Sequence, residues 1–201
     1  MAYVPRDERK ARLAEAVWRI ILDKGISAVS VRTVATEAEM AVGSLRHLFP
    51  TQTALLEFSA DLMVERATAR VTATEPSADA VEYALSAIQH LVPLTPETRR
   101  EFEINIALIA ESPAHPGLAR IRNHAHAQLL DLFTRITTML RAETKPSEDA
   151  RRDSWRLLAL VDGLGLHLVQ QRLNVDTEWA IAIIRDELVR IREAGSSRSA
   201  E

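Results

Sequence analysis

Residues 30–56 read "SVRTVATEAEMAVGSLRHLFPTQTALL", and two short helical patterns separated by only a few residues sit inside them. Ser30 is placed to cap the first, "VRTVATEAE", whose Val31, Val34, Ala35 and Ala38 make a narrow apolar stripe suited to close packing. The second is "VGSLRHLF", ended near Pro50. At about 100° per residue, Leu45, Leu48 and Phe49 gather on one side, while Gly43, Arg46 and His47 point the other way with Ser44 at their edge. A short helix that offers a small residue, a cation, an imidazole and a hydroxyl together, after a tight turn, has the form of a helix-turn-helix whose second helix enters a major groove. Gly43 permits close approach of the helix backbone, Ser44 can hydrogen-bond bases or phosphates, and Arg46 can grip phosphate or make a bidentate contact with guanine.

Working outward, Leu13, Val17, Ile20 and Ile21 repeat at helical spacing over residues 8–23, and Gly25 supplies the backbone freedom favoured after a helix C-terminus. Residues 1–50 thus predict three helices. Thr51 caps a fourth, running to about Arg70, with Leu55, Phe58, Leu62 and Met63 facing inward. Residues 1–50 hold eight Lys/Arg against six acids, a balance of +2, which leaves −5 of the total −3 for the remainder. The imbalance suits a small anion-binding module on an acidic body.

The rest is also read as helical, because no alternating β-branched run or Asn-Gly hairpin signal occurs. Breaks at 74–79, 92–97, 112–117, 143–149 and 173–178 delimit about five further helices, about nine in all, and the polar ending 195–201 reads as a frayed tail. The expected fold is all-α. From Trp155 to Val169, "WRLLALVDGLGLHLV" is apolar nearly all round, so it must be covered on more than one side. A central helix of one domain satisfies that. So does an interface, which Gly163 and Gly165 favour as points of close backbone approach. The next helix carries Ile181, Ile184, Leu188 and Ile191 as a long stripe, and two such helices can pair with their copies about a two-fold axis. A homodimer is expected, with Gly163, Gly165, Ile181, Ile184 and Leu188 at its interface.

Length and chemistry bound the remaining options. The 201 residues include 47% hydrophobic and no cysteine, which excludes disulfides, thiolate metal sites and a cysteine nucleophile. No leader-like N-terminal segment and no run of about 20 apolar residues is present, so a cytoplasmic chain without membrane contact is expected. No Gly-rich phosphate loop, G-x-S-x-G elbow or H-E-x-x-H helix occurs, which argues against an enzyme and against any cofactor. His115, His124 and His126 resemble a metal cluster on paper, but His124 and His126 lie about 200° apart on one helix and cannot chelate together. For a small molecule, Phe102, Asn105, Ile106 and Ile109 share one face or its edge, Phe133 comes from the following helix, and Trp155 shares a face with Asp162. A buried Asp162 carboxylate needs a partner, either an internal arginine or a cationic or hydrogen-bonding ligand.

Residues 9–56, "RKARLAEAVWRIILDKGISAVSVRTVATEAEMAVGSLRHLFPTQTALL", resemble the N-terminal domain of the tetracycline-repressor (TetR) family of bacterial regulators. The likeness follows a first helix, a "kG" boundary, "SvR.vA..A", "vgsl..hF" and the start of a fourth helix without a gap. It implies a DNA-binding domain at 1–50 and an effector-binding and dimerisation domain at 51–201, linked by helix 51–70. It also implies a repressor that leaves an inverted-repeat operator in double-stranded DNA when an unidentified small-molecule effector binds the body. Arg32, Thr33, Thr51 and Gln52 then join Gly43, Ser44, Arg46 and His47 as DNA contacts. Four positions depart from the pattern. Glu39 stands where the turn usually has glycine, Ala41 where a polar cap is usual, Arg46 in place of an aromatic residue and Gln52 in place of lysine. Glu39 is expected in left-handed geometry at a cost of about 1 kcal/mol. A helical binding or scaffold protein that keeps the shape without using DNA is the rival reading.

Overall fold

The computed structural model describes residues 6–172 and 176–198. Among the described residues the chain forms nine α-helices and no strand: α1 Arg6–Lys24, α2 Val31–Glu37, α3 Val42–Leu48, α4 Gln52–Thr72, α5 Ala80–Gln89, α6 Pro96–Glu111, α7 Pro116–Leu140, α8 Glu148–Gln170 and α9 Glu178–Arg198. Short 3-10 turns follow α1 and α6, at Ile26–Ala28 and Ser112–Ala114. Two compact units divide the chain, one made of residues 1–66 and 103–123, the other of 67–102 and 124–201.

In the first unit, α1 buries Leu13, Val17, Trp18, Ile20 and Ile21 against Val31, Val34, Ala35 and Leu45. The small residues of α2 let it come close to α1, and the same core takes in Leu55 and Leu56 of α4 and Ile104, Leu108 and Leu118. Capping explains the helix starts. The Ser30 hydroxyl accepts from Thr33 N at 3.1 Å while Ser30 N donates to Thr33 Oγ1 at 2.9 Å, a reciprocal box that satisfies two otherwise orphan donors. Thr51 Oγ1 accepts from Ala54 N at 3.1 Å at the start of α4.

α2 ends two residues earlier than its apolar pattern suggests. Glu39 has φ 55°, and Met40 N reaches back to Ala35 O at 2.8 Å. This is a left-handed helix stop built without glycine, in the geometry that glycine makes cheap. α3 is bounded by Ala41, which provides no side-chain cap.

The second unit packs α5, the C-terminal part of α7, α8 and α9 around Val81, Leu85, Ile88, Phe133, Ile136, Leu157, Val161, Leu164, Leu168, Ile184, Leu188 and Ile191. Two expectations are corrected here. Ile184 and Leu188 are completely covered by their own chain, at 0% exposure, so neither is available to a second copy. A Cβ on Gly165 would lie 2.4 Å from the Phe102 ring, so this glycine makes room for an internal aromatic side chain. α9 also extends through most of the stretch expected to fray, because Gly195 packs on the Arg141 backbone; residues 199–201 lie outside the described ones.

A buried ion network ties this unit together. Arg141, whose side chain is 2% exposed, donates to Asp153 at 3.0 Å and Glu143 at 2.9 Å. Arg190 donates to the other Asp153 oxygen and to Glu187, each at 2.7 Å. The guanidinium of Arg99 donates to the carbonyls of Leu168, Val169 and Gln171, placing a cation on the unsatisfied C-terminal end of α8.

Candidate nucleic-acid interface

α3 is held from one side only. Leu45 is fully buried, and the Phe49 ring rests on Phe58 of α4 with centroids 4.9 Å apart. Leu48, expected on the same inward side, is instead 58% exposed. A seven-residue helix has less than two full turns to bury, and Leu45 with Phe49 already fills the contact. Gly43, Ser44, Arg46 and His47 are all exposed, so the polar face read from the sequence is a solvent-facing surface. Val42, which the helical wheel left unassigned, is exposed beside them.

The flanking candidates divide. Arg32 is exposed on α2, and among the described residues neither it nor Arg46 pairs with a carboxylate. Thr33 is exposed as well, but its hydroxyl donates to Ala28 O at 2.8 Å and accepts from Ser30 N, so its hydrogen is committed to the corner before α2. Gln52 Nε2 donates to Ile26 O at 3.0 Å, which makes that side chain a brace between α4 and the 3-10 turn. Thr51 is exposed and acts as the cap of α4. Next to this surface Arg19 pairs with Glu37 at 2.9 Å, and Arg12 lies 3.9 Å from Glu39, so two of the head's cations are partly answered by its own acids.

The effector candidates are not gathered into one described cavity. Phe102, Phe133, Trp155 and Asp162 belong to the second unit, and Asn105, Ile106 and Ile109 to the first. Phe133 is fully buried core, Phe102 packs against Gly165, and Ile106 and Ile109 are exposed. Asp162 is exposed rather than buried, and no arginine pairs with it among the described residues. The buried carboxylate between arginines is Asp153. Desolvation by its surroundings still pushes the Asp162 carboxyl above its usual range, against the pull of His126. The His126 ring meets Trp155 at 5.6 Å. A cleft of about 50 Å³ lies among Pro93, Leu94, Arg99, Leu168, Gln171 and Thr177, well below the ~300 Å³ of ordinary ligand pockets, and none of the expected effector residues lines it. Among the described residues no cluster of metal-ligating side chains is present, and no helix is long and apolar enough to cross a membrane.

Comparison with known proteins gives this surface its context. Residues 80–193 match the BetI-type transcriptional repressor C-terminal domain. The chain is 31% identical over 179 residues to the HTH-type transcriptional regulator PksA of Bacillus subtilis, covering 87% of this chain and 85% of that one. It is 25% identical over 186 residues to the regulator BetI of Burkholderia thailandensis, covering 90% and 92%. A transcriptional regulator from Rhodococcus sp. RHA1 has the same fold at TM-score 0.80 and 24% identity, over 92% of this chain and 96% of that one. So does a regulator from Saccharomonospora viridis solved in complex with choline, at TM-score 0.74 and 23% identity, over 94% and 97%. With its C-terminal match spanning more than half the sequence and its relatives aligned through both the helix-turn-helix and the body, this chain belongs to the TetR family of transcriptional regulators and carries a BetI-type C-terminal domain.

Proposed function

We propose that this regulator is a cytoplasmic homodimeric repressor that binds an inverted-repeat operator in double-stranded DNA and releases it when a small molecule binds its body. Residues 1–50 are the reading head and residues 51–201 the effector-binding and dimerisation part. The observation that carries the reading is the exposed set Gly43, Ser44, Arg46 and His47 on a short helix anchored from behind by Leu45 and Phe49. Arg32 and Thr51 extend that set to the phosphates, while Gln52 and Thr33 hold the head in shape.

For the second copy, α8 offers Leu166 and α9 offers Ile183, exposed at 46% and 40%, and α9 also carries the half-buried Ile181. Gly163 belongs on the same seam, since a Cβ there would meet nothing within 4 Å inside the chain. An effector acts by binding one spacing of the two heads better than the other, transmitted by a tilt of the helix over 51–70. Phe102, Trp155 and Asp162, all in the second unit, remain the proposed effector residues, and choline, held by the Saccharomonospora relative, heads the panel of compounds to try.

The test is a mobility-shift assay with the DNA flanking the protein's own gene, since such regulators often control their neighbours. A saturable shift, lost on adding an effector, is the expected result. A folded protein that shifts no flanking fragment and selects no sequence from a random duplex library overturns the reading.

A further inference from the structure

Three helices, α4, α6 and α7, have one end in each compact unit, and within the first unit they meet at a corner. Gly117 is buried in the first turn of α7, and a Cβ added there would fall on Glu57 of α4, whose Oε1, Cδ and Cγ are its three nearest atoms. A glycine inside a helix costs stability, and here the space it leaves is taken by a carboxylate. Glu57 is half-buried, and among the described residues no hydrogen bond or ion pair takes its oxygens. What it meets is the positive end of a 25-residue helix. His115 O accepts from Ala119 N at 3.0 Å, Pro116 has no N–H, and the amides of Gly117 and Leu118 have no acceptor within the helix. Both residues are buried, so the negative charge beside them offsets part of what water would otherwise supply.

One turn earlier on α4, Thr53 Oγ1 lies 3.5 Å from Nδ1 of His115, and the other ring nitrogen is 3.8 Å from Glu111 at the end of α6. Gln52, one residue before, braces the 3-10 turn after α1. The first two turns of α4 thus hold both the reading head and the α6–α7 corner. We propose that Glu57 is a positioning residue for DNA binding: seated on the first turn of α7, its carboxylate keeps the α6–α7 corner and the reading head moving as one body. This inference rests on the DNA-binding reading above and names a contact that sets the tilt of the helix over 51–70. Without the contact each head keeps its core, since Leu55, Leu56, Leu108 and Leu118 still pack together, but it is free to take more than one spacing from its partner. Such a dimer binds its operator more weakly and discriminates less between half-site spacings.

The test is a double-mutant cycle read on the footprinted operator, below the melting temperature of every variant. Glu57→Ala and Gly117→Ala should each weaken binding roughly three- to tenfold, and each should shrink the penalty for a half-turn insertion between half-sites by a similar factor. Gly117→Ala acts through Glu57, because the backbone there has no left-handed φ and the carboxylate is the nearest obstacle. In the Glu57→Ala background it should therefore cost no further affinity, and it should raise the melting temperature, since alanine favours a helix over glycine. Glu57→Gln keeps the shape and loses the charge, and should fall with Glu57→Ala rather than with the wild type. Losses that add in the double variant, a Glu57→Gln protein that behaves like the wild type, or a Glu57→Ala protein that melts lower but keeps both the affinity and the spacer penalty would each overturn the assignment. A wild type that protects no duplex would overturn the DNA-binding reading itself, so the two failures are told apart by the first footprint.

Discussion

Arg46 and Glu39 show how single residues on this head can be separated into contact and geometry. Arg46 is exposed and supports no core contact, so Arg46→Ala should leave the melting temperature unchanged and weaken operator binding by roughly 1–3 kcal/mol, the value of one good base or phosphate interaction. Fluorescence anisotropy beside thermal melts checks both halves; equal affinity in a normally melting variant would remove Arg46 from the interface. Glu39 is the reverse case. Its φ of 55° is a left-handed conformation that a side chain resists, and its carboxylate lies at the corner leading into α3. Glu39→Gly should stabilise the protein by about 0.5–1 kcal/mol and also tighten DNA binding, since a negative charge leaves the approach to phosphate. Its 3.9 Å contact with Arg12 subtracts little, because both groups are solvated.

At the scale of elements, Asp153 is the fastening of the second unit. It joins Arg141, at the end of α7, to Arg190 of α9 from a position within α8. Asp153→Ala leaves the buried Arg141 guanidinium with one fewer anion and should cost about 3 kcal/mol in urea unfolding. By contrast Arg152→Ala, which breaks only the exposed pairs with Glu148 and Asp149, should stay within about 0.5 kcal/mol. The first variant losing no more than the second would mean that helix packing alone sets the arrangement of α7, α8 and α9.

At the scale of the whole molecule, the exposed apolar side of α8 and the open Gly163 belong to the proposed seam between two copies. Gly163→Arg should sediment as a monomer with normal helical content, because a Cβ there meets nothing in its own chain and the long charged side chain would be forced into the partner. Gly165 cannot serve for this test, since any side chain there strikes Phe102 first. Two heads fixed by a two-fold axis also demand fixed half-sites, about one helical turn of roughly 34–36 Å apart or a multiple of it. Inserting half a turn between half-sites should therefore cost far more affinity than inserting a whole turn, as measured by competition binding. Equal losses would show that the two heads do not read one face of the duplex together.

What the sequence by itself determined is local. Capping residues, helical periodicity and the breaks between patterns carry the nine helices of the described residues and the exposed polar face of α3, because each depends on backbone chemistry within a few residues, while the left-handed Glu39 followed from the resemblance. The resemblance of residues 9–56 to the TetR family's N-terminal domain is local in the same sense, since it lies within one continuous stretch of sequence. Tertiary structure decided which of several apolar faces goes inside. A periodic stripe says that residues share a face, and it is silent on what covers that face. So Ile184 and Leu188 went to the chain's own core while Trp155, Leu166 and Ile183 stayed outside, and Leu48 was turned out because Leu45 and Phe49 had already filled the contact. The same competition buried Asp153 between Arg141 and Arg190 and left Asp162 at the surface. It also gave Gly165 to the ring of Phe102, 63 positions away in sequence, while leaving Gly163, two residues earlier, open. Burial is a contest among distant segments for a limited interior, and its outcome is a property of the packed chain rather than of any stretch within it.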